Sequence, residues 1–358
     1  MFVHFINSLF TPWSYFLYYI IFFYSLIRFR EKWTEPRIAI KIMIGIIVIL
    51  VLCFFNHHFR RVATTPDNIP IFLLFSLLAF FLWFSFRRAV LNDRRIAAGQ
   101  PPIEKQHSDE KVNVWPDLVF IEFIAGIIMI TFIIFWAIAV HAPLQQSANA
   151  GWAPNPAKAP WYFVGLQETL VYFDPWIAGV LNPSLIIFGL MAIPYLDRNP
   201  KGAGYITFNE RKIAVTIFLF GFLMWVALIG FGAFLRGPNW TFFAPFEHWS
   251  AKKALAENNI NLSEIVWVKM LGRPLPGNWF IREIWGFLLL GIYFLVLPPI
   301  LTRKIPFLKK LLSELGVVRY GIFMFLALMM IAVPTKMIVR WLFNLKYIIT
   351  ISRFYFNI

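Results

Sequence analysis

Residues 117–140 read Asp117-Leu118-Val119-Phe120-Ile121-Glu122-Phe123-Ile124-Ala125-Gly126-Ile127-Ile128-Met129-Ile130-Thr131-Phe132-Ile133-Ile134-Phe135-Trp136-Ala137-Ile138-Ala139-Val140, with no charge after Glu122. A helix of about 20 apolar residues crosses the hydrocarbon core of a bilayer, and this run has that length. Comparable runs recur at about 13–27, 38–55, 69–86, 176–196, 213–235, 284–301 and 320–343. The expected fold is all-α: a polytopic transmembrane helix bundle of about eight spans. The run at 13–27 is the weakest, being short and rich in Tyr, so seven spans plus an interfacial helix is the alternative count.

Composition agrees. Of 358 residues, 59% are hydrophobic and 14% charged, too few charges to cover a soluble globule of this size. The formal net charge of +15 does not point to nucleic acid, because the basic residues sit in short clusters between apolar runs rather than along one amphipathic face. The only cysteine, Cys53, excludes a disulfide framework and a CxxCH haem attachment, and near the end of an apolar run it reads as a small buried hydrophobe. Met1-Phe2-Val3-His4-Phe5 lacks the basic region and cleavage site of a secretory signal, so the first apolar run is expected to stay. The polar segments at about 87–116 and 236–282 are too poor in apolar residues to form cores of their own.

Orientation follows from Lys and Arg, which concentrate in cytoplasmic connections. The odd-numbered connections are the basic ones: Arg28, Arg30, Lys32, Arg37 and Lys41; then Arg87, Arg88, Arg94, Arg95, Lys105 and Lys111; then Arg198, Lys201, Arg211 and Lys212; then Arg303, Lys304, Lys309, Lys310 and Arg319. Both termini are therefore expected outside. The natural setting is a bacterial inner (cytoplasmic) membrane, with the connection after the fourth span on the periplasmic side.

That connection contains Pro154-Asn155-Pro156-Ala157-Lys158-Ala159-Pro160-Trp161-Tyr162-Phe163-Val164-Gly165-Leu166-Gln167-Glu168. Its prolines hold an extended approach, since each fixes φ and biases the residue before it away from the helical region. A short interfacial helix is expected to start at Pro160 and end near Asp174-Pro175, with Trp161 and Tyr162 at the depth where amphipathic rings settle.

The order of Trp115-Pro116-Asp117-Leu118, a long span, Ala142-Pro143-Leu144, the Pro154–Phe163 stretch, another span and Ala192-Ile193-Pro194-Tyr195-Leu196-Asp197-Arg198-Asn199-Pro200-Lys201-Gly202 resembles the C-terminal half of cytochrome b and subunit IV of cytochrome b6f-type complexes. The likeness is good over 113–235, weaker over 236–358 and absent over 1–112. Three regions are thus expected: an N-terminal extension of three spans (1–112), the subunit IV-like region (113–235), and an aromatic outward segment with two spans (236–358). Trp161-Tyr162 fall where the family ends a Pro-Glu-Trp-Tyr motif at its outer quinol-oxidation site. Here Ala159-Pro160 replace Pro-Glu, so the family's carboxylate is missing.

The resemblance implies a haem-free subunit of a quinol:electron-acceptor oxidoreductase in an electron-transport chain. Its substrate would be a quinol. Its partners would be a haem-bearing cytochrome b N-terminal-type subunit, a Rieske iron–sulfur protein and a c-type cytochrome, with lipid around it and no nucleic acid.

Quinol oxidation releases two protons, and a partly shielded carboxylate can accept one near neutral pH. Glu168, about two turns beyond Pro160, is the candidate proton acceptor; the alternative is a solvated carboxylate on an interfacial helix. Pro160, Trp161, Tyr162 and Phe163 are the candidate quinone-binding residues, or else belt aromatics. Lys158 has a weaker claim, as a lysine that snorkels to the surface. Glu122, one turn into its span, serves either proton uptake or simple interfacial placement. Pro334 and Lys336 predict a kinked last span with its lysine reaching the interface.

Haem b needs paired histidines projecting inward from facing helices, and His4, His57, His58, His107, His141 and His248 all lie at span ends or in loops. Any b haem is therefore expected on a partner chain. His57 and His58 are adjacent and point in different directions on a helix, so no metal site is expected. The rival class of function is a transporter or structural anchor without a quinone site. The sequence lacks the inverted repeats of a transporter.

Overall fold

The structure, a computed structural model, describes residues 2–106, 111–140, 146–253 and 259–358. His107 and the His141-Ala142-Pro143-Leu144 exit from the fourth run lie outside them. Among the described residues, seven helices are long and apolar enough to cross a membrane: Pro36–Phe54, Pro66–Ala97, Val114–Ala139, Ile177–Leu196, Lys212–Leu235, Ile284–Lys304 and Pro306–Phe343. The chain is a multi-pass, all-α membrane protein. The weakest run forms Pro12–Arg28, a 17-residue helix opened by a Thr11–Ser14 capping box with Pro at its start. It traverses the bundle as well, because Asn7 before it holds the Phe246 amide at 3.2 Å while Arg30 after it reaches Asn209 at 3.2 Å.

Polar contacts gather at two ends, as they must where lipid offers no hydrogen-bonding partner. One end joins the connections after the first, third, fifth and seventh runs: Arg30 with Asn209, Asn92 with Glu104 and the Ile206 carbonyl, Asp93 with Thr207 and Asn209, and Arg198 with the Glu314 carbonyl. The opposite end joins the N-terminal residues, 56–58, 154–174, 236–253, 259–283 and the C-terminal tail. The alternation used to count charges is thus also the alternation of the fold.

Between the ends, Tyr19, Leu26, Phe86, Leu219, Leu223, Leu228 and Met337 form one buried cluster from four helices. Two tyrosine hydroxyls on Pro12–Arg28 donate to carbonyls of Lys212–Leu235: Tyr15 to Ala227 at 3.4 Å and Tyr19 to Phe220 at 2.7 Å. Pro36–Phe54 and Val114–Ala139 bury no residue. A helix apolar on every face belongs in lipid or against another protein, and these two fit that description.

The last helix departs from expectation. Its break lies at Gly316, at φ 73° and ψ 169°, a conformation open to glycine, while Pro334 stays inside regular helix. Lys336 is buried and donates to the Lys346 carbonyl of the tail at 2.6 Å. The tail beyond it, which the sequence left unassigned, folds into an antiparallel pair, Thr350–Ile351 with Phe356–Asn357. Its amide at Thr350 donates to Glu283 at 3.1 Å, and Asn357 donates to Asp174 at 2.9 Å.

This docking sets a test. A Cβ on Gly286 would run into the Ile348 carbonyl oxygen and into Ile349 Cγ1 at 2.6 Å, whereas one on Gly291 meets nothing within 4 Å. Gly286→Ala is expected to destabilise the detergent-solubilised protein by about 1–3 kcal/mol, the usual cost of overpacking. Gly291→Ala should not lower the thermal midpoint.

Candidate functional site

Residues 154–173 fold as one unit. Prolines 154, 156 and 160 keep the approach non-helical, and the first helical bond runs from the Val164 amide to the Pro160 carbonyl at 3.1 Å. Regular helix covers Val164–Thr169, and tighter turns extend it, with Tyr172 and Phe173 both bonding to Thr169 at 3.0 Å. Gln167 ties this helix to the extended arm: its Oε1 accepts from the Ala159 amide and its Nε2 donates to the Ala157 carbonyl, each at 2.8 Å. A short helix is therefore present inside the stretch read from the sequence, but it covers Val164–Thr169 rather than running from Pro160 to Asp174.

At its centre Glu168 has no solvent exposure. Arg236 grips it with two hydrogen bonds, Nε to Oε2 at 2.9 Å and NH2 to Oε1 at 2.7 Å. The Tyr172 hydroxyl adds a bond to Oε1 at 3.0 Å, and Trp240 Nε1 one to Oε2 at 3.2 Å. Four donors thus occupy two oxygens. Arg236 also donates NH1 to the Trp240 carbonyl at 2.9 Å and lies 5.1 Å from the Phe231 ring. Burial and the carboxylate charge raise the Tyr172 hydroxyl well above its usual pKa, which keeps it a donor. Burial opposes the charge on Arg236, but Glu168 outweighs it and the guanidinium pKa rises.

Lys158 lies beside this group. Its Nζ donates to the Ala233 carbonyl at 2.6 Å and sits 4.7 Å from the Trp249 ring. Ala233 belongs to the last turn of Lys212–Leu235, where carbonyls lack helical partners and a cation is favoured. Burial nevertheless lowers the lysine to about 7, with Glu168 opposing and Arg236 assisting the shift. The sequence reading as a surface lysine is corrected: Lys158 is tied into the fold.

The candidate quinone-binding residues divide between two faces. Trp161 packs on the cluster of Ile71, Val164, Ile229 and Ala233. Tyr162 and Phe163 are 48% and 52% exposed, with ring centroids 4.7 Å apart, and Pro160 is exposed beside them. Glu122 is exposed in the first turn of its helix. The solvated alternative for Glu168 is overturned by its burial. As a proton acceptor it is saturated in this arrangement, since neither oxygen is open to a substrate.

Sequence reasoning missed Arg236 and Tyr172; Trp240 enters it only as part of the aromatic outward segment, as a cover for the pocket or a partner surface, not as a donor to Glu168. A signal for the first was present: Arg236 directly ends an apolar run on the side otherwise poor in Lys and Arg. Comparisons with family models, with curated proteins and with solved structures return no match.

Two outcomes are expected. Arg236→Met leaves a buried carboxylate unpaired and should cost about 3–5 kcal/mol of stability, and Glu168→Gln should cost a similar amount by stranding the guanidinium. The double variant should recover most of either loss; additive losses in chemical or thermal unfolding would show that the two residues do not act as a pair. The second outcome concerns pH. Lys158 has a folded pKa of about 7 against a usual 10.5. Between those values the unfolded chain binds a proton that the folded chain does not, so stability rises with pH across that window and the full penalty applies below it. In Lys158→Met this part of the rise in thermal midpoint should vanish.

Proposed function

We propose that the chain is a haem-free membrane subunit of a cytochrome bc-type quinol:electron-acceptor oxidoreductase, and that residues 154–174 form one wall of its outer quinol-oxidation site, on the periplasmic side of an inner membrane. The observation that carries this reading is the 154–173 unit itself: a Pro-bounded turn and short helix pinned to the end of a span through Glu168 and Arg236, with the Tyr162 and Phe163 rings exposed at its edge. A planar, apolar quinol ring at a membrane boundary suits such aromatic surfaces.

Oxidising the quinol to quinone releases two electrons and two protons. In this reading the electrons pass to cofactors on partner chains, a haem-bearing cytochrome b subunit and a Rieske protein, with a c-type cytochrome beyond. His57, His58 and His248 all sit at one polar end of the bundle, which supports placing the b haems on another chain. Burial lowers Lys158 to about 7, and as the free amine it accepts a proton. Glu168 takes one only if Arg236 first turns away; in the arrangement seen it holds the wall in place.

A second reading is favoured by that same saturation: a structural anchor, in which the polar cluster serves only to fix the loop. The transporter alternative has no comparable support.

The test is purification of the tagged chain in mild detergent from its native membrane. The expected outcome is a complex with b- and c-type haem spectra and quinol oxidation, while the chain expressed alone shows no b-type reduced-minus-oxidised spectrum. Tyr162→Leu should leave assembly intact and raise the quinol KM several-fold. Haem-free purification without quinol oxidation would favour the anchor, and an unchanged KM would remove Tyr162 from the site.

A further inference from the structure

At the same end of the bundle, the short helix His57–Ala63, which follows the Pro36–Phe54 span, meets the aromatic segment 242–249 across a cavity of about 630 Å3. Asn7, Asn56, His58, Glu247, His248 and Lys253 line it. Most of these polar groups are already engaged. Asn56 Oδ1 caps the helix by accepting from the His58 and Phe59 amides, and Asn7 Oδ1 accepts from the Phe246 amide. Glu247 holds the Ala244 amide at 3.0 Å and Lys253 Nζ at 2.5 Å.

The two imidazoles face each other. His58 Nδ1 and His248 Nδ1 are 3.3 Å apart, with ring centroids at 4.8 Å and planes inclined by 57°. A hydrogen bond between the two Nδ1 atoms, one ring donating as its N–H tautomer, is compatible with that separation. Two nitrogens bound to one tetrahedral metal ion at about 2.0–2.1 Å each are separated by about 3.3–3.4 Å. The observed spacing fits this second arrangement as well.

We propose that His58 and His248 form a two-histidine site for a borderline divalent transition metal, Zn2+ being the ion whose tetrahedral geometry the spacing fits. Imidazole donors select such ions over Mg2+ and Ca2+, which take oxygen ligands. Among the described residues no three His, Cys, Asp or Glu side chains gather to enclose an ion. The site is therefore open, with solvent filling the remaining positions from the cavity. The helical spacing that argues against a site at His57-His58 does not apply, because the second ligand comes from 190 residues away. Binding would clip the N-terminal spans to the segment that supplies Trp240 and Trp249 around Glu168 and Lys158, where the ring contact of Phe59 with Phe246 at 6.0 Å also joins the two. This inference rests on the histidine geometry alone and stands independently of a quinol site.

The experiment is titration of the purified, detergent-solubilised chain with Cu2+, read by electron paramagnetic resonance, and with Zn2+, read by calorimetry. Expected are one equivalent of either metal, hyperfine coupling of Cu2+ to two nitrogens, and a higher thermal midpoint with Zn2+, since a ligand that binds only the folded state stabilises it. His58→Ala and His248→Ala should each weaken binding at least tenfold, while His57→Ala leaves it unchanged. Affinity unaffected by either of the first two substitutions, or equally reduced by His57→Ala, would overturn the proposal. So would wild-type Cu2+ spectra without coupling to two nitrogens.

Discussion

A carboxylate with no contact with water can stay charged only if its field is cancelled where it sits, and Glu168 is held this way by the fork of Arg236. The residues around it are arranged to meet that requirement. The short helix presents Glu168 and, one turn later, Tyr172 on one face. The span ending at Leu235 presents Arg236 at its exit, and the chain then folds back so that Trp240 donates to the other oxygen. Three separate stretches converge on one charge. A buried pair of this kind adds little net stability against a well-packed apolar alternative, but breaking it is costly, so it acts chiefly to fix which surfaces meet.

Much of the fold was legible because its signal is coarse. An uninterrupted apolar run admits one structure in lipid, and all the long runs became helices, most within a few residues of their sequence limits, while the third runs on to Ala97 and the last begins at Pro306. Proline chemistry placed a short helix within 160–174 for an equally local reason, and Val164–Thr169 is the part that forms it. The pairing of Glu168 with Arg236 was not legible, because it joins residues 68 positions apart and leaves no periodicity. The same holds for the buried Lys336, whose acceptor is a backbone carbonyl in the tail, and for the tail's strand pair. In each case local sequence gives the donor, and only the tertiary fold gives the acceptor. The break at Gly316 rather than Pro334 has a related cause: a proline's missing N–H is tolerated where helix continues on both sides, whereas a positive φ ends the helical path outright.

The two spans that bury nothing, Pro36–Phe54 and Val114–Ala139, mark a difference between crossing a membrane and packing in it. Both are apolar all round, so neither carries a stripe that selects a neighbour. The packed spans differ. Lys212–Leu235 carries buried Leu219, Leu223, Met224 and Leu228 on one face and accepts two tyrosine hydroxyls, so it has both shape and polar partners to hold its neighbours. In a bilayer, where burial away from water has already been achieved by insertion, such features rather than hydropathy decide contact.

The close approach that makes the Glu168 pair possible is set by two glycines. A Cβ on Gly165 would lie 3.0 Å from Ile229 Cγ1 and 3.4 Å from the Trp225 carbonyl, and one on Gly232 would lie 3.1 Å from the Val164 carbonyl. Each glycine therefore lets the short helix settle against the backbone of Lys212–Leu235 at a distance that larger residues forbid. With the helices that near, Glu168 reaches the span end within one hydrogen-bond length of Arg236. A side chain at either position would require a shift of a few tenths of an ångström, which would lengthen the bonds of 2.7 and 2.9 Å that the fork now makes. The polar geometry at this end is thus decided by what the sequence omits at 165 and 232 as much as by the charges it supplies at 168 and 236.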